Sequence, residues 1–367
     1  MSQRQSQSPH APVLRALRVG PASMPINPRL LLCVALAGAV LALGVCYSVT
    51  QGEFQLSMGE VLAVFAGGGS AIERAVVFDM RLGRAVVACL VGAALGFSGA
   101  LTQSVARNPL ASPDILGITN GASLAAVATI IFAGAGAGGV VEAGATTVMA
   151  TVGIPGAAII GAGLAAVVIW LLAGSARGSV LKVVLIGVGM SIFLSSMTTW
   201  LLAYAQLDRA ASARMWLTGS LNGRDWNHAG APFVVVLVAV LVGGWLAFQL
   251  AALVLGPATA HVLGHRVGVA QAVQLVVAVI LAAVAVAAAG PIGFIAFVSP
   301  HVARGLARTP TPPLMFSALM GAVLLLGADL LARVVLPWEL PVGVVTAFIG
   351  APFLLYIIVR VRREETV

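Results

Sequence analysis

Charge is scarce in this chain. Only 9% of its residues are Asp, Glu, Lys or Arg and 60% are hydrophobic, whereas an ordinary soluble domain is roughly a quarter charged. The single lysine, Lys182, stands between Leu181 and Val183. A phosphate-binding loop needs Gly-Lys-Ser/Thr so that the amine reaches the nucleotide phosphates, and this polypeptide cannot hydrolyse ATP by that route. The three cysteines, Cys33, Cys46 and Cys89, fall in apolar runs without paired spacing, which points to packing rather than to a disulfide or a metal site. The histidines, His10, His228, His261, His265 and His301, are scattered over tail and loop positions. Their local spacing assembles no two-histidine, one-carboxylate metal set. His261 and His265 are i, i+4 neighbours, read as part of a solvated loop helix. The formal charge of +8 would suit nucleic acid only with a basic stripe or an aromatic platform, and neither lies outside the apolar runs.

What the chain has is long apolar stretches. Mean hydropathy is +1.05, and runs of about 20 residues can each cross some 30 Å of hydrocarbon. The fold class that follows is all-α, a polytopic membrane protein of about ten transmembrane helices. Spans are expected near 28–49, 82–106, 115–133, 147–173, 181–205, 231–255, 269–290, 293–308, 314–335 and 341–361. Three depart from an ideal span: the one from 115 is short, the one from 293 is short and broken near Pro300, and the one from 147 contains Pro155. Such breaks are tolerated where neighbouring helices satisfy the freed backbone groups.

Residues 1–28 are rich in Ser, Gln, Pro and Arg and have no apolar centre, so they read as a disordered cytoplasmic arm rather than a cleaved signal. Residues 29–367 form one transmembrane domain. Basic residues near span ends are retained in the cytoplasm, and placing both termini there puts 13 of the 20 basic residues inside. Arg74, Arg81, Arg84, Arg209, Arg214, Arg224 and Arg333 remain outside.

The two apolar halves echo each other. Gly99-Ala100 is followed ten residues after the glycine by Pro109-Leu110-Ala111, and Gly290-Pro291 at the same distance by Pro300-His301-Val302. A second echo pairs Gly59 and Gly67 with Gly256 and Gly264, the same separation on opposite faces. An internal inverted repeat in an apolar chain is a signature of transporters.

Longer motifs then carry a resemblance. Arg81-Leu82-Gly83-Arg84, Ser98-Gly99-Ala100, Gln103, Asn108-Pro109-Leu110-Ala111 and Leu116-Gly117 are similar to the second and third helices of a known family. That family is the permeases of type II ATP-driven importers for iron-siderophores, haem and cobalamin. Gly290-Pro291-Ile292-Gly293-Phe294, Pro300-His301-Val302-Ala303-Arg304, Ala328-Asp329-Leu330-Leu331-Ala332-Arg333 and Leu340-Pro341-Val342-Gly343 extend it through the second half, over about residues 30–360.

The resemblance implies a pore subunit that performs no covalent chemistry and binds no cofactor itself, with ATP and Mg²⁺ used by a partner. The implied partners are a second permease subunit, the same or a paralogous chain, two ATPase subunits, an extracytoplasmic substrate-binding protein and membrane lipid. It places the protein in the cytoplasmic membrane of a bacterium. Ferric siderophore is the implied cargo, with cobalamin or haem as alternatives. Outside the family, an ion-coupled secondary transporter is the other class; such carriers place an ionisable residue in mid-membrane, whereas the charges here lie at span ends or in loops.

Carried over position by position, the resemblance makes Asn108, Leu110, Ser179 and Val180 cytoplasmic gate candidates. An ordinary turn is the other reading of Asn108 to Pro113. Ser195, Ser196 and Thr199 in the fifth span, with Thr346 in the tenth, are candidates for lining the translocation path, although hydroxyls also bond to the preceding helical turn. Arg81, Arg84 and Arg333 are candidates for docking the acidic knobs of a binding protein, and Asp329, four residues before Arg333, offers an internal ion pair instead. Leu255, Gly256, Ala260, His261 and Gly264 match the coupling segment held by the ATPase, with Ala260 expected to face its groove. Pro257 and His261 depart from that family's usual acidic residue and Arg.

Overall fold

In the computed structural model, residues 16–19, 22–25, 27–52, 54, 56–114, 117–133, 147–174, 180–254, 256–335 and 338–365 are described. Fourteen α-helices account for nearly all of them. Each of the ten expected spans contains a helix: α1 (Pro28–Thr50), α4 (Gly83–Ala106), α5 (Ile118–Ala133), α6 (Thr147–Ala173), α7 (Val180–Tyr204), α9 (Trp226–Val254), α11 (Val267–Ala289), α12 (Ile295–Ala307), α13 (Leu314–Val334) and α14 (Val342–Glu365). Eight of these segments are long and apolar enough to cross a membrane. The other two, α5 with 16 residues and α12 with 13, are short. The chain is a multi-pass membrane protein.

Short helices complete the set: α2 (Met58–Phe65), α3 (Ala71–Arg74), α8 (Leu207–Leu217) and α10 (Pro257–Val262). Local chemistry sets many of the boundaries. Asn27 caps α1 by accepting from the Arg29 and Leu30 amides at 3.1 and 3.3 Å, and Pro28 opens the first turn. There its missing N–H costs nothing. Ser57 with Glu60 and Ser70 with Glu73 form capping boxes at α2 and α3, each satisfying two otherwise orphaned amides. A π-helical segment, Ala75–Leu82, joins α3 to α4. In α6 the helix is interrupted at Gly153, φ 61°, two residues before Pro155.

Part of the N-terminal arm is described. Ala16–Val19 and Ala22–Pro25 pair as an antiparallel ribbon, β1 and β2, with Ala16 opposite Pro25 and Val19 opposite Ala22. The strands flank Gly20-Pro21 in the sequence, a dipeptide that favours a turn. Residues 1–15 lie outside the described set.

The inverted repeat is visible as an order of elements. From α1 to α6 the chain runs long, short, long, short, long through α1, α2, α4, α5 and α6, and from α9 to α13 it repeats that order through α9, α10, α11, α12 and α13. The halves start at opposite ends of the bundle. The start of α1 bonds to the end of α12 through Arg29 Nε and the Leu306 carbonyl, 2.7 Å, whereas the start of α9 bonds beside α4 through Trp226 Nε1 and the Phe78 carbonyl, 2.8 Å. The residue echo of Gly99 and Gly290 does not coincide with it. Gly99 lies inside α4 and Pro109 in the following loop, while Gly290 caps α11 and Pro300 lies inside α12.

Helix α4 is the axis of the core, packed by α13, α11, α12 and α9. Its close crossings depend on residues without side chains. A Cβ at Gly99 would sit 1.7 Å from the Ala296 carbonyl oxygen, and one at Gly92 2.3 Å from that of Gly321. Without hydrophobic drive between helices in lipid, such backbone approach supplies the packing energy. Gly99→Ala is therefore expected to lose more than about 3 kcal/mol of stability, because the clash is with backbone and cannot be relieved by a rotamer change. Gly38→Ala, where a Cβ meets nothing within 4 Å, is expected to be neutral or slightly stabilising. Thermal unfolding of both variants in detergent checks the contrast.

Candidate functional site

At the end of the bundle reached by α4, α9 and α12, the chain breaks sharply after α4. Arg107 adopts φ 48° and donates from Nη2 to the Leu253 carbonyl near the end of α9. The Asn108 amide donates to the Gln103 carbonyl at 3.2 Å, and the Asn108 side chain accepts from the Leu110 amide at 2.9 Å. This Asx turn fixes the course of Asn108 to Leu110, with Asn108 exposed and Leu110 half-buried. Beyond it, the Asp114 carboxylate accepts from Ser112 Oγ at 3.1 Å and Thr119 Oγ1 at 2.6 Å. Burial holds the Asp114 carboxyl above its ordinary value, opposed by those two hydroxyls. Ser179 lies outside the described residues and Val180 opens α7, its side chain not among those described.

The hydroxyls expected along a path divide. Ser195, Ser196 and Thr199 are exposed on α7, and Thr346 is buried in α14. Ser196 donates to the Ile192 carbonyl at 2.9 Å, Thr199 to Ser195 at 3.0 Å and Thr346 to Gly343 at 3.0 Å. Each of these three bonds its preceding turn. The main neighbours of α7 are α5, α6 and α8, while those of α14 are α12 and α13. A single chain thus presents the two helices separately.

The expected short helix after α9 forms. Gly256, φ 98°, caps α10, and Gly264, φ 84°, follows it, two positive-φ sites that suit glycine. Leu255 lies outside the described residues. Ala260 requires a correction: it has no exposed surface within this chain, because α10 folds its Ala260 side back against the ends of α9 and α11. The solvent side instead carries Val262, 86% exposed, with Leu263, His261 and Thr259. His265 does not converge with His261. Its Nδ1 meets Gln249 Oε1 at 2.9 Å while His261 is exposed.

At the opposite end, the three arginines named for docking are each engaged within this chain. Arg81 is buried and donates to the carbonyls of Val49, Thr50 and Phe54. Arg84 donates from Nη2 and Nε to Asp329 Oδ1 at 2.8 and 3.1 Å, and Arg333 Nη2 lies 2.9 Å from Asp329 Oδ2. Arg333 also donates to Ser48 Oγ at 2.7 Å. The buried Asp329 carboxylate needs compensating charge, which Arg84 and Arg333 supply. Only the outer edge of the network, Arg84 to Glu339 at 3.4 Å, reaches an exposed side chain.

His301 is likewise corrected from a loop position. It is buried in α12 beside the rings of Phe297 and Phe353, with centroids 5.0 and 6.3 Å away. Sequence reasoning missed the Arg84–Asp329 pair, which joins residues 245 positions apart. A carboxylate within an apolar helix, Asp329, was the available signal, but Arg333 one turn away already offered it a partner.

Comparison with known proteins adds the family. The ferric enterobactin transport system permease protein FepG of Escherichia coli is 35% identical over 343 residues, covering 93% of this chain and 99% of the relative. The Fe(3+) dicitrate permease protein FecD of the same organism is 37% identical over 289 residues, covering 78% and 86%. Among solved structures, an inward-facing conformation of a metal-chelate type ABC transporter superposes with a TM-score of 0.76 at 25% identity, covering 89% of this chain and 98% of that one. The FecCD transport family matches residues 40–360. Spanning nearly all the described helices, that match means that this chain belongs to the FecCD transport family.

Proposed function

We propose that this chain is the pore-forming permease subunit of an ABC importer that carries ferric siderophores across the bacterial cytoplasmic membrane, with both termini in the cytoplasm. The observation that carries the reading is the family match over residues 40–360 on an inverted repeat of ten helices. The relatives named for ferric enterobactin and ferric dicitrate favour a chelated-iron cargo. Escherichia coli has two ferric enterobactin permease proteins, FepG and FepD, each 35% identical to this chain. A permease of this kind therefore works as one of a pair, with separate ATPase subunits using ATP and Mg²⁺ below it and a binding protein delivering substrate from outside.

In this scheme the Asx turn at Asn108 and Leu110, with Ser179 and Val180, closes the cytoplasmic mouth. Ser195, Ser196, Thr199 and Thr346 border the path once two permease subunits meet. The α10 loop docks on the ATPase and moves when nucleotide closes the ATPase pair. An ion-coupled carrier fits less well: Asp329, the buried carboxylate of α13, faces two arginines and is not free to hold a coupling ion.

Uptake of radiolabelled ferric siderophore into cells lacking their own permease tests the reading. Transport is expected only when the partner ATPase is co-expressed with an intact nucleotide site, and the purified chain alone is expected to hydrolyse no ATP. Uptake that persists without an ATPase and collapses with the proton gradient would contradict it.

A further inference from the structure

Beside the Asn108 turn lies a cavity of about 250 Å³ between the ends of α4, α9 and α12. Water occupies about 30 Å³ per molecule in the liquid, so this volume holds a tetrahedral oxyanion with waters around it. Its lining is cationic: Arg107 and Arg304 both border it and no carboxylate does. Arg107 gives one nitrogen to the Leu253 carbonyl. The Arg304 side chain has no hydrogen bond or ion pair among the described residues. Ser104 Oγ, also in the wall, is buried without a hydrogen-bond partner. Thr311, Asn108 and Gln103, whose Nε2 donates to the Phe297 carbonyl, complete the polar lining.

Two guanidinium groups, Arg107 exposed and Arg304 half-buried, and the buried Ser104 hydroxyl without a partner thus border one hollow. Arginine is the residue best suited to oxyanions, because its planar fork gives two parallel N–H donors to a phosphate. Buried hydroxyls are normally paired, and an anion oxygen would pair this one. The leucines opposite, Leu250 and Leu253, are buried and leave an apolar wall on the α9 side. We propose that this cavity binds a phosphate group, supplied either by the headgroup of an anionic phospholipid or by free inorganic phosphate. Basic pockets between transmembrane helices commonly hold such headgroups. The site goes beyond the transport reading and holds for either membrane orientation.

The test uses the full-length purified chain. Its unfolding temperature is measured in neutral detergent with added inorganic phosphate, and separately with short-chain phosphatidylglycerol against phosphatidylcholine. Phosphatidylglycerol is expected to raise the unfolding temperature where phosphatidylcholine does not. A matching rise with inorganic phosphate assigns the site to the free anion as well, and its absence assigns it to the headgroup. Arg304→Gln is expected to weaken binding at least tenfold, the loss of one charge-assisted contact. If that variant does not fold, Ser104→Val is measured instead, with a several-fold loss expected. Absence of any anion-dependent shift, or equal shifts in the wild type and the folded variant, would overturn the proposal. So would loss of ATPase co-purification in Arg304→Gln with no anion binding by the wild type, because the cavity would then receive a partner's carboxylate.

Discussion

Asp329→Ala is expected to lower the stability of the protein by about 3–5 kcal/mol, the usual cost of removing one member of a buried ionic network. Asp329 has no exposed side-chain surface and serves Arg84 and Arg333, whose side chains are 11% and 6% exposed. Removing the carboxylate leaves two cations in a poorly solvated setting and unties α4 from α13. Arg84→Gln removes one cation while the other remains, so a smaller loss is expected. Glu339→Gln serves as the control: its carboxylate is 44% exposed and meets Arg84 at 3.4 Å, so a change within about 1 kcal/mol is expected. Denaturant unfolding in detergent orders the three variants. A loss below about 1 kcal/mol for Asp329→Ala would show that water already solvates this network.

Val262→Asp is expected to weaken the complex with the ATPase about 30-fold, equivalent to a hot-spot loss of about 2 kcal/mol, while leaving insertion and folding unchanged. Val262 is 86% exposed and Leu263 59% exposed on a six-residue helix, so neither contributes to this chain's own core. Two exposed aliphatic side chains on the solvent face of α10 suit burial against a partner, and a carboxylate there opposes desolvation. Ala260→Arg has a different expected outcome. Ala260 is buried in its own chain, so the arginine displaces α10 and lowers stability together with coupling. Affinity of the purified permease for its ATPase, with unfolding temperature measured alongside, separates the two. Unchanged affinity in Val262→Asp would remove this face from the coupling contact.

The short helix α10 shows how far local sequence reaches. Pro257 fixes its own backbone for a first turn and Gly256 and Gly264 tolerate positive φ, so the helix and its ends are local properties. Which side faces the protein is decided by the ends of α9 and α11, and that inverted the role assigned to Ala260. The same division holds for charge. Asp329 and Arg333 lie one helical turn apart, so their pairing is written in the sequence. Arg84 joins them only because α4 packs on α13, and its distance along the chain hides the contact that removes it from the surface.

Hydropathy determined the ten-helix membrane architecture, since an apolar run long enough to cross the bilayer must hydrogen-bond its backbone internally. The glycine echoes pointed to an internal inverted repeat, although the Gly99 and Gly290 echo does not coincide with the order of elements that shows it. Tertiary structure alone decided that Gly99 faces Ala296, that Arg84 meets Asp329, and that Arg107, Arg304 and Ser104 share one cavity. Each of these depends on the relative placement of helices distant in sequence, where packing geometry rather than local propensity sets which side chains meet.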